Sequence, residues 1–232
     1  MSERPTLLLI HGAWHGAWAW NASRELLEER GWRVSTVDLP TVHAADPTGL
    51  SLSDDAAAVA EAIDAITGSV VVIAHSYGGV PTTQAAAAES VEHIVYVSAF
   101  ALDVGESLLA AVGGEAPSWW DVRGSLVSAG TPQETPTDLF FHDVDPPAAA
   151  AAVAQLRPQS RLAFEESLTV AAWHSKPSTF IVTEQDRIFA PEAQEALATR
   201  AGSRIVRMDT SHSPFLSQPK EFVDAIEEAI GR

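Results

Sequence analysis

Cysteine is missing from all 232 residues. Its absence excludes disulfides, thiol nucleophiles and thiolate-held metals together, and fits a reducing compartment. Positive charge is scarce too: 14 Lys and Arg stand against 31 Asp and Glu, a formal net charge of −17. Such a chain repels nucleic-acid phosphates and anionic lipid surfaces, so neither is expected as a main partner. No apolar run approaches the roughly 20 residues of a membrane-spanning helix. The opening MSERPTLLLI has too short an apolar stretch for a secretory signal and lacks a small-residue cleavage site. A cytoplasmic location is the expectation. There is no internal repeat and no interdomain linker.

What the chain does have is a 46% hydrophobic composition, ample for the core of one large α/β domain. Strand-like and helix-like segments alternate. Thr6–Ile10, Trp32–Asp38, the SVVVIA run from Ser69 and His93–Phe100 read as strands. Helices are expected near Gly16–Arg30, from a start at Ser53, and over Ser76–Glu89. In the second of these, Ala56, Val59, Ala60, Ile63 and Ile66 recur at helical spacing behind Asp54 and Asp55. The rhythm breaks after Phe100. Residues 101–174 carry many prolines, the Trp119–Trp120 pair and an alanine run after Pro146-Pro147 that reads as a helix with proline at its start. STFIVTE, Pro191–Ala201, RIVRMD and Pro219–Ile230 then restore strand–helix alternation. This order predicts right-handed crossovers and a mostly parallel sheet of about six strands, with helices on both faces. Residues 1–100 and 175–232 would form the core, and residues 101–174 a mostly helical cap inserted after the fourth strand.

Ser76 sits where the strand SVVVIA ends, in A-H-S-Y-G. A strand–turn–helix elbow holds a nucleophilic serine in a strained conformation and needs small residues two before and two after it. Ala74 and Gly78 fill those places; alanine is a mild departure from the usual glycine. A serine hydroxyl also needs an imidazole base oriented by a carboxylate. Asp186 follows the strand TFIVTE, His212 follows RIVRMD, and the order Ser76, Asp186, His212 suits such a fold. All three fall at the carboxyl ends of strands, where functional groups of open α/β sheets gather. An oxyanion needs backbone donors, each worth ~10²–10³ in rate. Tyr77 N–H and Ala13 N–H are the candidates, and Gly12 would let the main chain pass close to a substrate. His11 and His15 are four apart, but Gly12 stands where a zinc helix needs Glu and no third ligand follows, so no metal is assigned.

LIHGAWHGAWAW, AHSYGG, TEQDRIFAPEAQ and SHSPFLSQP together resemble the α/β-hydrolase branch of plant methylesterases, the salicylate-binding esterase, the S-selective hydroxynitrile lyases and small bacterial esterases. The likeness runs end to end. It implies the α/β-hydrolase fold, a Ser76–His212–Asp186 triad under a helical cap, and no cofactor. The lyases of this branch carry threonine where this chain has Gly12 and lysine where it has Ser213, so the resemblance favours an esterase. SWWD resembles the Trp-x-Asp of the family's cap, which implies that Trp119 lines the substrate pocket. The expected activity is hydrolysis of a small carboxylic ester through an acyl-enzyme. Hydroxynitrile lyase-like C–C cleavage and non-catalytic binding in a hydrolase pocket are the alternatives. The expected partner is a small-molecule ester, and a homodimer stays open.

Overall fold

The computed structural model describes residues 4–231. Its strands are β1 (Thr6–Ile10), β2 (Arg33–Val37), β3 (Val70–His75), β4 (Val91–Val97), β5 (Trp120–Arg123), β6 (Leu126–Ala129), β7 (Gln159–Ser160), β8 (Ser178–Thr183) and β9 (Arg204–Met208). Six of them form one sheet in the order β2-β1-β3-β4-β8-β9, and every pairing in it is parallel. Of the central strands, β1, β3 and β8 are buried along their whole length, and β4 is buried except at Glu92 and His93 near its start. The edge strands β2 and β9 are partly exposed and their sequences mix polar with apolar residues, RVSTV and RIVRM. A central parallel strand covered on both faces has no solvent side on which to place polar residues.

The main helices are α1 (Asn21–Glu29), α2 (Leu52–Asp64), α3 (Gly79–Ala85), α4 (Pro191–Arg200) and α5 (Pro219–Ala229). The two faces of β1 feed two cores. Leu7 and Leu9 pack with Trp20, Leu27, Phe222 and Ile226 under α1 and α5, whereas Leu8 and Ile10 pack with Val59, Ile63, Val80 and Ala198 under α2, α3 and α4. Each large apolar side chain so buried contributes roughly 1.5–3 kcal/mol. Among the described residues no helix is long and apolar enough to cross a membrane.

Local chemistry moves several boundaries. The second helix starts at Leu52 rather than Ser53, because Ser51 is its N-cap: the Ser51 N–H donates to Asp54 Oδ2 at 2.8 Å. The expected helix over Ser76–Glu89 divides into a 3₁₀ turn at Ser76–Gly78 and α3, since Ser76 has a left-handed φ of 51° that no α-helix holds. The fourth strand spans Val91–Val97 and stops short of Phe100, because Ser98 is left-handed as well, with φ of 40°. Residues 101–174 are less helical than expected. Beside short helices at Leu108–Ala111, Pro136–Phe140, Pro146–Val153 and Leu162–Glu165 they carry a second, antiparallel sheet, β5-β6-β7. Its hairpin turns on Gly124 and Ser125, with Gly124 at φ of 62°. WDVR alternates before this turn but LVSA after it does not, so local pattern marks only half of the hairpin.

Candidate active site

The carboxyl ends of the parallel strands make one rim, and the elbow after β3 is its centre. Ser76 is buried but for 8% of its surface and is one of three non-glycine residues with positive φ among the described residues. The turn is tight enough that a Cβ on Gly78 would lie 2.4 Å from the His11 carbonyl oxygen. Ala74, fully buried, pairs with Ile10 on one side and Tyr96 on the other, where a methyl group fits.

Asp186 and His212 meet behind this elbow. His212 Nδ1–H donates to Asp186 Oδ2 at 2.6 Å, and both side chains are buried. Asp186 Oδ1 accepts the Ile188 and Phe189 N–H groups at 2.9 and 3.0 Å, and Oδ2 also accepts from Thr183 Oγ1 and Gln194 Nε2 at 3.0 and 3.1 Å. Five donors therefore fix the carboxylate, and the imidazole tautomer follows with Nε2 as its free lone pair. The His212 carbonyl accepts from His75 Nε2–H at 2.9 Å and from Ser98 Oγ at 3.3 Å. His75 directly precedes Ser76, so this bond ties the catalytic candidate of one loop to the strand that bears the other. Ser76 Oγ itself makes no hydrogen bond among the described residues; in free enzymes such bonds commonly tighten only with substrate.

The loop after β1 lies against the elbow. Ala13 N–H has no acceptor among the described residues, and the first turn of a helix leaves an N–H such as that of Tyr77 without an intrahelical one. Gly12 is packed against the elbow and does not line the cavity described below: a Cβ there would sit 2.6 Å from His75 Nδ1 and 3.0 Å from Ser76 Cβ. Its lack of a side chain makes room for the His75 ring and the Ser76 Cβ, so this main chain can pass close to the elbow.

Three histidines around the elbow are held neutral by burial. His11 is pushed down to about 4 and His15 to about 3, and His75 lies well below the usual range. His11, Asp38 and His43 bring potential ligand atoms within 4.8 Å of one another. Both imidazoles are already committed. His11 Nδ1–H donates to Gly12 O and its Nε2 accepts the Leu39 N–H, while His43 Nε2–H donates to His15 O and Nδ1 accepts from Arg157. A cation there would have to displace these bonds.

A cavity of about 310 Å³ opens over Ser76, Ala13 and Tyr77. Trp14, Trp119, Trp120 and Phe164 wall one side and Phe100, Ile188 and Phe189 another, and among the described residues no charged side chain lines it. Trp119, the expected pocket residue, is among the residues that line this cavity. Phe100 and Phe189 stack at 4.3 Å, and Trp120 and Phe164 sit 4.5 Å apart. A second cavity of about 270 Å³ abuts the first across Trp120 and Phe164, which line both. Sequence reasoning missed Phe164, Phe100 and Phe189, because lone aromatic residues in loops and short helices carry no periodic signal.

The chain matches the model of the alpha/beta hydrolase family over residues 7–225. It belongs to that family. This alpha/beta hydrolase is 26% identical to "Alpha/beta hydrolase nvfD" of Aspergillus novofumigatus, over 98% of this chain and 97% of the relative. It is 26% identical to "Methylesterase 9" of Arabidopsis thaliana, over 94% of this chain and 95% of that one. The crystal structure of polyneuridine aldehyde esterase superposes with a TM-score of 0.84 at 22% identity, covering 99% of this chain and 100% of the other. That structural likeness bears on the fold alone.

Proposed function

We propose that this alpha/beta hydrolase cleaves small, uncharged carboxylic esters through Ser76, His212 and Asp186. The observation that carries the reading is the buried 2.6 Å Asp186–His212 pair, tied through His75 to the strained Ser76 at the floor of an uncharged cavity. His212 Nε2 takes the Ser76 proton as Oγ attacks the ester carbonyl. Ala13 and Tyr77 N–H groups hold the oxyanion, and Asp186 stabilises the imidazolium that forms. His212 then returns the proton to the leaving alcohol, and water attacks the acyl-enzyme by the same route. The esterase name of the Arabidopsis relative points the same way.

The lining supports the restriction on charge. A substrate with a second, ionised carboxylate would enter a cavity that offers it no cation, inside a chain of net charge −17. A neutral methyl or aryl ester meets no such cost, and the anionic acid product finds nothing to retain it.

Ser76→Ala is expected to lower turnover of an aryl ester by on the order of 10⁶. Asp186→Asn is expected to lower kcat by about 10⁴ through the wrong tautomer. An organophosphonate should add its mass to the peptide carrying Ser76 and leave Ser76→Ala unlabelled. Turnover that survives in Ser76→Ala sinks the mechanism. Equal kcat/KM for a neutral ester and a dicarboxylic monoester sinks the substrate class.

A further inference from the structure

The reaction proposed above leaves one buried carboxylate without a role. Asp55, in the first turn of α2, is fully buried, and no cation is paired with it among the described residues. It accepts three neutral donors instead. Thr41 N–H reaches Oδ1 at 2.9 Å, and Thr41 Oγ1–H and Tyr77 Oη–H both reach Oδ2 at 2.7 Å.

Two arms leave this carboxylate. One is Tyr77, whose N–H is an oxyanion donor and whose neighbour Ser76 is left-handed. The other runs through Thr41: Gln159 Nε2–H donates to Thr41 Oγ1 at 2.9 Å, and Gln159 Oε1 accepts the Trp14 N–H at 3.1 Å. Trp14 follows the second oxyanion donor, Ala13, and is left-handed too, with φ of 62°. Every donor on this second arm points toward Asp55, so the anion strengthens each bond behind it. Non-glycine residues in that backbone region cost about 1–2 kcal/mol each and persist only when their surroundings hold them.

We propose that Asp55 is a positioning residue that holds both halves of the oxyanion hole at once, through Tyr77 on one side and through Thr41 and Gln159 on the other. The inference rests on the reading of Ser76 as nucleophile. It gives the cap strand β7, which carries Gln159, a direct part in setting the Ala13–Trp14 main chain. Burial pushes the Asp55 carboxyl up to about 6, so at neutral pH the fold carries its charge against the preference of its surroundings. A carboxylate kept for stability alone would gain from neutralisation.

The test compares the full chain with Asp55→Asn, Tyr77→Phe and Gln159→Leu on a neutral aryl ester. Asp55→Asn is expected to lower kcat by about 10- to 100-fold with KM within about twofold, the scale of a slightly misplaced donor. Affinity for an aryl trifluoromethyl ketone, whose Ser76 hemiketal carries the same oxyanion, should weaken by the same factor. The melting temperature should stay equal or rise. Tyr77→Phe and Gln159→Leu should each give a smaller kcat loss, and neither should add its full effect to Asp55→Asn. Unchanged kcat in Asp55→Asn overturns the proposal, as does a kcat loss without matching loss of ketone affinity. Should Asp55→Asn fail to fold, full turnover in both other variants overturns it, and a kcat loss in both supports it. Turnover surviving in Ser76→Ala defeats the hydrolase reading itself; a dead Ser76→Ala beside a fully active Asp55→Asn defeats only this inference.

Discussion

A methyl group added to Gly78 would sit 2.4 Å from the His11 carbonyl oxygen and 2.9 Å from that of Ile10. Both atoms belong to main chain at the end of β1, which cannot turn aside as a side chain does. Gly78→Ala is therefore expected to destabilise by about 1–3 kcal/mol, the usual cost of overpacking. It should also push the elbow away from the Ala13 loop, so activity falls further than stability does. Urea unfolding beside kcat on one ester checks both; a variant as active and stable as the parent would mean the turn has slack. Gly49 offers the control, since a Cβ there meets nothing within 4 Å.

At the scale of elements, the hairpin of β5 and β6 and the short helix Leu162–Glu165 decide how much of the cavity a substrate can use. Trp120 on β5 and Phe164 on the helix form a two-ring wall between spaces of about 310 and 270 Å³. Trp120→Ala should join them and raise kcat/KM for octanoyl over acetyl esters by about tenfold or more, since each buried methylene is worth about 0.8 kcal/mol. An unchanged chain-length profile would show that the second space is not reached. These elements were also the hardest to read in advance. The main sheet was legible because TLLLI and VVVIAH are nearly continuous apolar runs bounded by turns; Ser76 and Asp186 follow buried strands of this kind, and His212 follows the mixed edge strand RIVRM. The cap sheet was not, because β7 is only Gln159–Ser160 and becomes a strand through β6 rather than through its own sequence. Asp55 was legible as a helix-start carboxylate; its bonds to Thr41 and Tyr77 join positions that no local pattern connects.

For the molecule as a whole, burial of titratable groups fixes the response to acid. His11, His15 and His75 stay unprotonated in the fold far below the 6.5 at which an unfolded chain takes up its protons. Their contribution to stability is present above about pH 6.5 and is lost as pH falls. Asp55 works the other way: folded, it is protonated below about 6, whereas unfolded it ionises above 3.8, so it gives back stability across that window. Near pH 5 unfolding takes up about three protons at the histidines and releases about one from Asp55. Stability should then fall by roughly 3 kcal/mol per pH unit. Urea midpoints between about pH 5 and 6 measure the slope, and a flat profile there would contradict the neutral histidines. Among the described residues the left-handed non-glycine positions, Trp14, Ser76 and Ser98, follow β1, β3 and β4, which are neighbours in the sheet. The tension of the backbone is thus gathered into one small arc, directly beneath the site. Selection for heat resistance would find its easiest gains there, at Ser76→Gly before anywhere else, and each gain would blunt the tool it hardened.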